Sequence, residues 1–158
     1  MKRAAIGTRS TRERAVIAAL RRPSQRRFQV DESLEELAGL VTAAGGTVVG
    51  RITQDRAAPA PGLFFGRGKI DEIGQTARAE SAVLFVSDDP LSPIQERNIS
   101  QALGIKVIDR TALILDIFAQ RARTSEGKLQ VELAQLTYLL PRLVGQWTHL
   151  DRSRHLQE

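Results

Sequence analysis

Seven apolar residues in the C-terminal third of the chain follow an unbroken 4-3 spacing. They are Leu129, Leu133, Leu136, Leu140, Leu143, Trp147 and Leu150, and we call them the helix seam. This spacing keeps them on one narrow stripe of a helix, as in a coiled coil. No second helix follows, because the sequence ends at Glu158. We therefore expect either that the chain is a piece of a longer protein or that another molecule covers the seam.

Length and composition indicate one core-forming domain with an appendage. The 158 residues are enough for one hydrophobic core, and the 4% aromatic content means that aliphatic side chains must build it. No apolar run reaches the ~18 residues of a membrane span, and residues 1–14 lack the apolar stretch of a secretory signal. The absence of cysteine excludes disulfides and thiolate sites, and two histidines give no metal site. We expect a cytoplasmic protein without a membrane span.

The net charge of +5 comes mostly from arginine, with 19 Arg against 4 Lys. The planar guanidinium group suits phosphate, so the excess favours a nucleic-acid partner, although a GC-rich genome also raises arginine content. The basic residues are clustered. One group, Arg21, Arg22, Arg26 and Arg27, is predicted in a proline-containing loop, and another consists of Arg121, Arg123 and Lys128. For the second group, RNA contact and a solvated surface shared with Glu126 and Glu132 both remain open.

Short apolar runs alternate with helical patterns along most of the chain. The predicted strands are Ala15–Leu20, Thr47–Thr53, Ala82–Val86 and Ile105–Ile108. The predicted helices start at Asp31, Lys69, Ser92, Thr111 and Gly127. This alternation favours an α/β fold with a small, mostly parallel four-stranded sheet flanked by helices. We divide the chain into a basic flexible arm (1–14), an α/β domain (15–125) and a long helix (126–158), the first half of a helical hairpin.

Local motifs predict where several helices begin and end. Ser33 with Glu36 is consistent with a capping box, and Gly45 with Gly46 would end that helix. A cap at Ser92, a proline at the next position and Gln95 predict another helix start, with Gly104 as its end. Pro141 lies inside the long helix and predicts a kink there.

Two short motifs have a chemical and a structural interpretation. Gly66, Arg67, Gly68 and Lys69 open a helix and either bind an anion or form a tight turn. The P-loop pattern is not met, because Leu63 and Ile70 stand where glycine and Ser/Thr are needed. Asp88 and Asp89 follow a strand and either bind Mg²⁺ or decorate the turn near the Ser92 helix. We expect no catalytic residues in this chain.

Several of these segments resemble the N-terminal region of the HflX family of ribosome-associated GTPases. The matching residues are Phe65–Ile73, Asp88-Asp89, Leu91–Pro93 and Gln95–Asn98. The most specific part runs from Val107 to Leu150 and reads VIDRTALILDIFAQRARTSEGKLQVELAQLTYLLPRLVGQWTHL. The resemblance covers roughly residues 30–150, and more loosely Ala15–Leu20.

The resemblance implies a small parallel α/β domain, then an antiparallel two-helix coiled coil, then a G domain in cis that binds GTP and Mg²⁺. It also implies binding to rRNA of the large ribosomal subunit and a role in splitting or inactivating ribosomes under stress. The family's glycine-rich hairpin tip, GGIG-x-RGPGET, is missing where Asp151–Glu158 stands, as are the returning helix and the G domain. We therefore expect no cofactor and no GTP hydrolysis in this chain.

Two other functions remain open. A nucleotide-binding domain would hold ATP or GTP phosphates at the turn formed by Gly66–Lys69. A dimerisation module would pair two copies of the chain through the helix seam, most simply as an antiparallel two-fold dimer.

Overall fold

The structure, a computed structural model, describes residues 12–155, with side chains as far as Arg142 in the long C-terminal helix. Its strands are β1 (Glu13–Arg21), β2 (Gly46–Asp55), β3 (Leu84–Ser87) and β4 (Lys106–Asp109). Its helices are α1 (Arg27–Ala43), α2 (Arg67–Ala79), α3 (Pro93–Leu103), α4 (Arg110–Arg121) and α5 (Ser125–His155). The predicted arm lies largely outside the described residues, and its last two positions, Glu13 and Arg14, belong to β1.

The four strands form one sheet in the order β2-β1-β3-β4, and every pairing is parallel. Parallel neighbours need a crossover, and α1, α2 and α3 supply the connections between successive strands. The predicted α/β fold with a four-stranded sheet flanked by helices is confirmed, and the sheet is wholly parallel rather than mostly so. That α5 is the first half of a coiled-coil hairpin stays a prediction.

Both faces of the sheet are apolar, which explains why the strands read as continuous apolar runs. On one face, alternate residues of β1 (Ala15, Ile17 and Ala19) pack with α1 and α4. On the other, Val16, Ala18 and Leu20 pack with α2, α3 and a group of three phenylalanines. Those phenylalanines are Phe64, Phe65 and Phe85, which meet edge to face.

Helix α1 begins at Arg27, four residues earlier than predicted. The predicted capping box of Ser33 and Glu36 is therefore wrong, because both residues lie inside the helix. The side chain of Gln29 instead accepts a hydrogen bond of 2.8 Å from the backbone N–H of Arg26. The usual Ser, Thr, Asp or Asn is missing at this start, which is why the pattern gave the wrong position. Gly45 follows the helix with a φ of 96°, as predicted for its end.

Helix α3 begins and ends as the sequence predicts. The Ser92 hydroxyl accepts from the Gln95 N–H at 3.1 Å, and the Gln95 side chain accepts from the Ser92 N–H at 2.9 Å. Pro93 is the first helical residue, and Gly104 ends the helix in the left-handed region with a φ of 69°. This local chemistry fixes the start without help from the rest of the fold.

Helix α5 begins at Ser125, so Gly127 lies within it and does not separate it from the α/β domain. Pro141 is inside the helix, as predicted. The first part of α5 packs against α3 and α4. Among the helices that the structure describes, none combines the length and apolar character needed to cross a membrane.

Candidate functional site

The first arginine cluster lies where β1 ends and α1 begins, and half of it is used in ion pairs. Arg21 Nε and Nη2 donate to the two carboxylate oxygens of Asp55 at 2.7 and 2.6 Å. This bidentate contact raises the pKa of Arg21 and lowers the pKa of Asp55. Arg22 Nη1 lies 3.6 Å from Asp89 Oδ1. These two arginines therefore hold the ends of the strands together.

Arg26 and Arg27 differ from the other two members of this cluster. Both are exposed, and neither forms an ion pair with any residue that the structure describes. Arg27 is close enough to Asp55 to contribute to lowering the pKa of that carboxyl group. Their guanidinium groups are available to an external anion.

The turn of Gly66–Lys69 is fixed by internal contacts. The Gly66 N–H donates to Gln54 Oε1 at 2.8 Å, and an added Cβ would lie 2.9 Å from Gln54 Nε2, so a larger residue would displace the Gln54 side chain. Lys69 Nζ is paired with Glu72 Oε2 at 2.7 Å. The preceding Phe64 takes a φ of 64° and is buried. These contacts favour the tight-turn interpretation, with Arg67 and Gly68 left exposed.

The structure brings parts of two predicted basic groups together beside the ends of β1 and β2. Arg21, Arg27 and Lys69 line a pocket of about 360 Å³. Asp31 and Asp55 line the same pocket, so its charge is mixed. Arg67 lies elsewhere, in a groove between α2 and α3 that includes Asn98 and Gln101.

Asp88 is held by residues from two helices. Its Oδ1 accepts from Arg110 Nε and Nη2 at 2.8 and 2.6 Å, and its Oδ2 accepts from the Ser33 hydroxyl. Asp88 thereby ties the end of β3 to α1 and α4.

Asp89 is held by β1. Its Oδ2 accepts from the Leu20 N–H at 3.0 Å, and burial raises the pKa of its carboxyl group. Both carboxylates are thus occupied by the protein itself. No group of three or more metal-ligating side chains occurs among the described residues, so the structural interpretation of this pair is favoured over Mg²⁺ binding.

A third polar network, which the sequence did not reveal, holds α5 against the α/β domain. Asp109 is 1% exposed and accepts from the N–H groups of Leu91 and Ala112, both at 3.0 Å. The Tyr138 hydroxyl donates to Asp109 Oδ1 at 2.7 Å. Burial and the bond to Asp109 raise the pKa of Tyr138 far above its ordinary value, so it remains a donor.

Arg142 completes this network one helical turn beyond Tyr138. Its Nε donates to Glu96 Oε2 at 2.9 Å, and its Nη2 donates to the backbone carbonyl of Leu91 at 2.8 Å. The guanidinium carbon lies 3.5 Å from the centre of the Tyr138 ring, in the range of a cation–π contact. We call Glu96, Asp109, Tyr138 and Arg142 the α5 latch. The only sign of this network in the sequence was that Tyr138 and Arg142 are four residues apart, which places them on one face of α5.

The helix seam lies on the opposite side of α5 from the latch. Leu129, Leu133, Leu136 and Leu140 are 53–66% exposed. From Leu129 to Arg142 the half-buried positions are Val131, Gln135, Tyr138 and Arg142, which repeat the spacing of the seam two residues later, about 200° around the helix. Helix α5 therefore packs on the α/β domain by the face that lacks the seam residues. The remaining seam residues, Leu143, Trp147 and Leu150, lie beyond the described side chains.

The second basic cluster lies at the junction of α4 and α5, apart from the end of β1. Arg121, Arg123 and Lys128 are exposed and form no ion pair within the described residues. Glu126, which the sequence placed among them, is exposed as well.

Two family models match consecutive parts of the chain. The model described as "GTP-binding GTPase N-terminal" matches residues 31–119, and the one described as "GTP-binding GTPase Middle Region" matches residues 121–156. The boundary falls at residue 120, in the last turn of α4 and next to the second basic cluster. The α/β domain and the long helix therefore correspond to two recurring regions.

Curated relatives extend the similarity over most of the chain. GTPase HflX of Flavobacterium psychrophilum is 47% identical over 142 residues, which cover 90% of this chain and 34% of the relative. GTPase HflX of Escherichia coli is 54% identical over 123 residues, which cover 78% of this chain and 29% of the relative. The chain thus spans about a third of the length of these relatives.

Solved structures show the same fold. A GTP-binding protein from Sulfolobus solfataricus in complex with GDP has a TM-score of 0.65 at 25% identity, covering 92% of this chain and 42% of that protein. A second structure, of SsGBP with GDP, has a TM-score of 0.68 at 26% identity, covering 92% of this chain and 41% of that one.

Proposed function

The chain belongs to the HflX family of GTP-binding GTPases, and we propose that it is the part of such a protein that binds the large ribosomal subunit in the cytoplasm. It does so through contacts of basic side chains with rRNA phosphates. In the whole protein, GTP binding and hydrolysis and the separation or inactivation of ribosomes under stress involve a G domain in cis.

The observation that carries this proposal is the state of the predicted basic residues. Three of them, Arg21, Arg22 and Lys69, are ion-paired within the fold. Six others are exposed and form no ion pair with a described residue: Arg26, Arg27, Arg67, Arg121, Arg123 and Lys128. Basic groups that the fold does not neutralise are those that gain most from phosphate contact, because binding releases counterions.

The test is co-sedimentation of the chain with purified large ribosomal subunits over a series of salt concentrations. If ~3–5 phosphates are contacted, log affinity falls against log salt with a slope of about −0.7 to −0.9 per contact. Replacement of Arg26 and Arg27 by glutamine should weaken binding and reduce the slope by about two contacts. A flat salt response, or no sedimentation with the subunit, contradicts the proposal.

A matched control separates local contact from total charge. Arg14 and Arg51 are also exposed, but they pair with Glu80 and Glu35. Their double replacement by glutamine lowers the net charge by the same amount as that of Arg26 and Arg27. Binding should change less, since neither arginine belongs to a predicted basic cluster and both are already neutralised by a carboxylate. An equal loss in both variants means that only net charge matters and moves the site elsewhere.

We also propose that the chain alone does not hydrolyse GTP. The turn of Gly66–Lys69 offers little to a phosphate, since the Gly66 N–H and the Lys69 ammonium already have partners. The acidic side chains in the adjacent pocket further disfavour the alternative of a nucleotide site. GTP turnover that is abolished by Lys69→Ala, or micromolar ATP binding in titration calorimetry, would instead support that alternative.

A further inference from the structure

The five phenylalanines of the chain fall into two groups by exposure. Phe64, Phe65 and Phe85 are at most 3% exposed and form the core behind β1. Phe28 and Phe118 are 56% and 55% exposed. A single exposed apolar side chain is common on protein surfaces and carries no inference alone. The surroundings of Phe28, however, distinguish it.

Phe28 directly follows Arg26 and Arg27, the two exposed arginines of the first cluster that pair with no acidic side chain in the part of the chain that the structure describes. It is the second residue of α1. The buried face of α1 consists of Val30, Leu34, Leu37, Ala38 and Val41, and Phe28 is not part of it. The fold therefore keeps a large aromatic ring in solvent, next in sequence to two exposed arginines that form no ion pair among the described residues.

We propose that Phe28 stacks against an unpaired base of RNA while Arg26 and Arg27 contact the phosphates on either side of that nucleotide. This rests on the proposed function and specifies its target as single-stranded or loop RNA. Aromatic rings stack on any base whose face is accessible, whereas the bases of a duplex present only their edges. Asp31 and Glu32 lie one turn further along α1 and repel phosphate, so the RNA strand passes on the Arg26 side.

The test uses a short single-stranded RNA that carries one 2-aminopurine, whose fluorescence is quenched by stacking. With the intact chain we expect binding with quenching, and weak or no binding to a duplex of the same length. Phe28→Ala should weaken binding about tenfold, within the range measured for one stacked base. It should leave the salt slope unchanged, because no phosphate contact is lost.

Three variants distinguish stacking from a general loss of surface. Phe28→Trp should retain or increase affinity and quenching, because the indole ring stacks as well. Ile94→Ala is the matched control: Ile94 is also the second residue of its helix, α3, and is 55% exposed. It has no aromatic ring and should leave binding unchanged. Replacing Arg26 and Arg27 by glutamine should reduce the salt slope, which Phe28→Ala does not.

The outcomes separate this inference from the proposed function. If the chain sediments with large subunits but Phe28→Ala binds the single-stranded probe as tightly as the intact chain, the inference is wrong and the proposed function stands. Equal binding of single strand and duplex overturns the inference as well. If neither subunits nor RNA are bound, the proposed function fails first.

Discussion

The two faces of α5 differ in what they contact: one is bound to the α/β domain and the other is exposed to solvent. The face with Tyr138 and Arg142 packs on the α/β domain through directional hydrogen bonds to the buried carboxylate of Asp109 and the partly buried carboxylate of Glu96. The opposite face presents a row of leucines to solvent. Directional bonds fix one arrangement of the helix, whereas an apolar stripe accepts any surface of complementary shape. The latch therefore fixes where α5 lies, and the described leucines of the helix seam stay exposed.

The largest loss of stability should come from Arg142→Ala, which removes a central residue of the α5 latch. The change removes the donors to Glu96 and to the Leu91 carbonyl and leaves partly buried carboxylates without their cation. Breaking such a pair from one side costs about 2–4 kcal/mol of unfolding free energy. Urea denaturation followed by circular dichroism measures it. Arg123→Ala, at an exposed arginine with no ion pair among the described residues, should change stability by less than ~0.5 kcal/mol. Equal effects would contradict the latch.

Tyr138→Phe tests one bond of the same network. It removes the hydrogen bond to Asp109 but keeps the ring beneath Arg142, so we expect a cost of about 1–2 kcal/mol in urea denaturation. The neighbouring Thr137 is exposed, and its hydroxyl bonds only within the helix, to the Leu133 carbonyl. Thr137→Val should therefore cost less. Equal losses of unfolding free energy in the two variants would show that the bond from Tyr138 to Asp109 adds no stability.

The raised pKa of Glu96 leads us to expect that the stability of the fold depends on pH. Burial raises its pKa above the ordinary 4.5, and the bond from Arg142 offsets this only in part. The folded state then binds the proton more tightly than the unfolded state, so stability falls as pH rises through the raised pKa. Glu96→Gln should remove that fall in thermal unfolding between acid and neutral pH. An unchanged pH profile would show that burial does not dominate at Glu96.

Asp55 serves as the control of opposite sign. Arg21 lowers its pKa below the ordinary 3.8, so this pair stabilises the fold above that pH and the stability is lost as pH falls through the lowered pKa. Asp55→Asn should therefore lower stability at neutral pH, where the pair is intact, and should flatten the fall of stability at the acid end of the profile. A variant whose pH profile matches that of the intact chain would show that the pair does not stabilise the fold.

The smallest effect on the folded chain should come from the seam. Leu133→Glu and Leu136→Glu together should change unfolding free energy by no more than ~0.5 kcal/mol each, because both side chains are exposed. If two chains pair through their seams, the same variant should be monomeric in analytical ultracentrifugation while the intact chain is dimeric. Gln130→Glu, at an exposed position outside the seam, should leave association unchanged. An intact chain that stays monomeric at high concentration refutes the dimer.

The fold was predictable where a few neighbouring residues determine it. The apolar runs of β1 and β3 and the cap formed by Ser92 and Gln95 are local signals, and the structure confirms them. The start of α1 was not predictable, because Arg26 and Gln29 form a cap that lacks the usual residue types. The same limit applies where contacts join distant residues.

The α5 latch and the pairing of the arginines depend on such distant contacts. Tyr138 and Asp109 are 29 residues apart, and Arg142 and the Leu91 carbonyl are 51 apart. The sequence predicted the basic clusters, but it could not distinguish Arg21, which pairs with Asp55, from Arg27, which has no ion pair within residues 12–142, since Asp55 reaches Arg21 only after β1 and β2 align.

The central position of β1 has a consequence for how the strand finds its alignment. In a strand with one face exposed to solvent, a shift of register by one residue would expose the apolar side chains, and this cost prevents the shift. Both faces of β1 are covered by apolar clusters, so a slip by one residue only exchanges the side chains between them. The polarity of the side chains therefore does not prevent such a slip. Alignment must depend instead on side-chain volume and on the end of the strand, where Leu20 meets Asp89 and Arg21 meets Asp55. The last two residues of β1, Leu20 and Arg21, therefore determine the register of the strand.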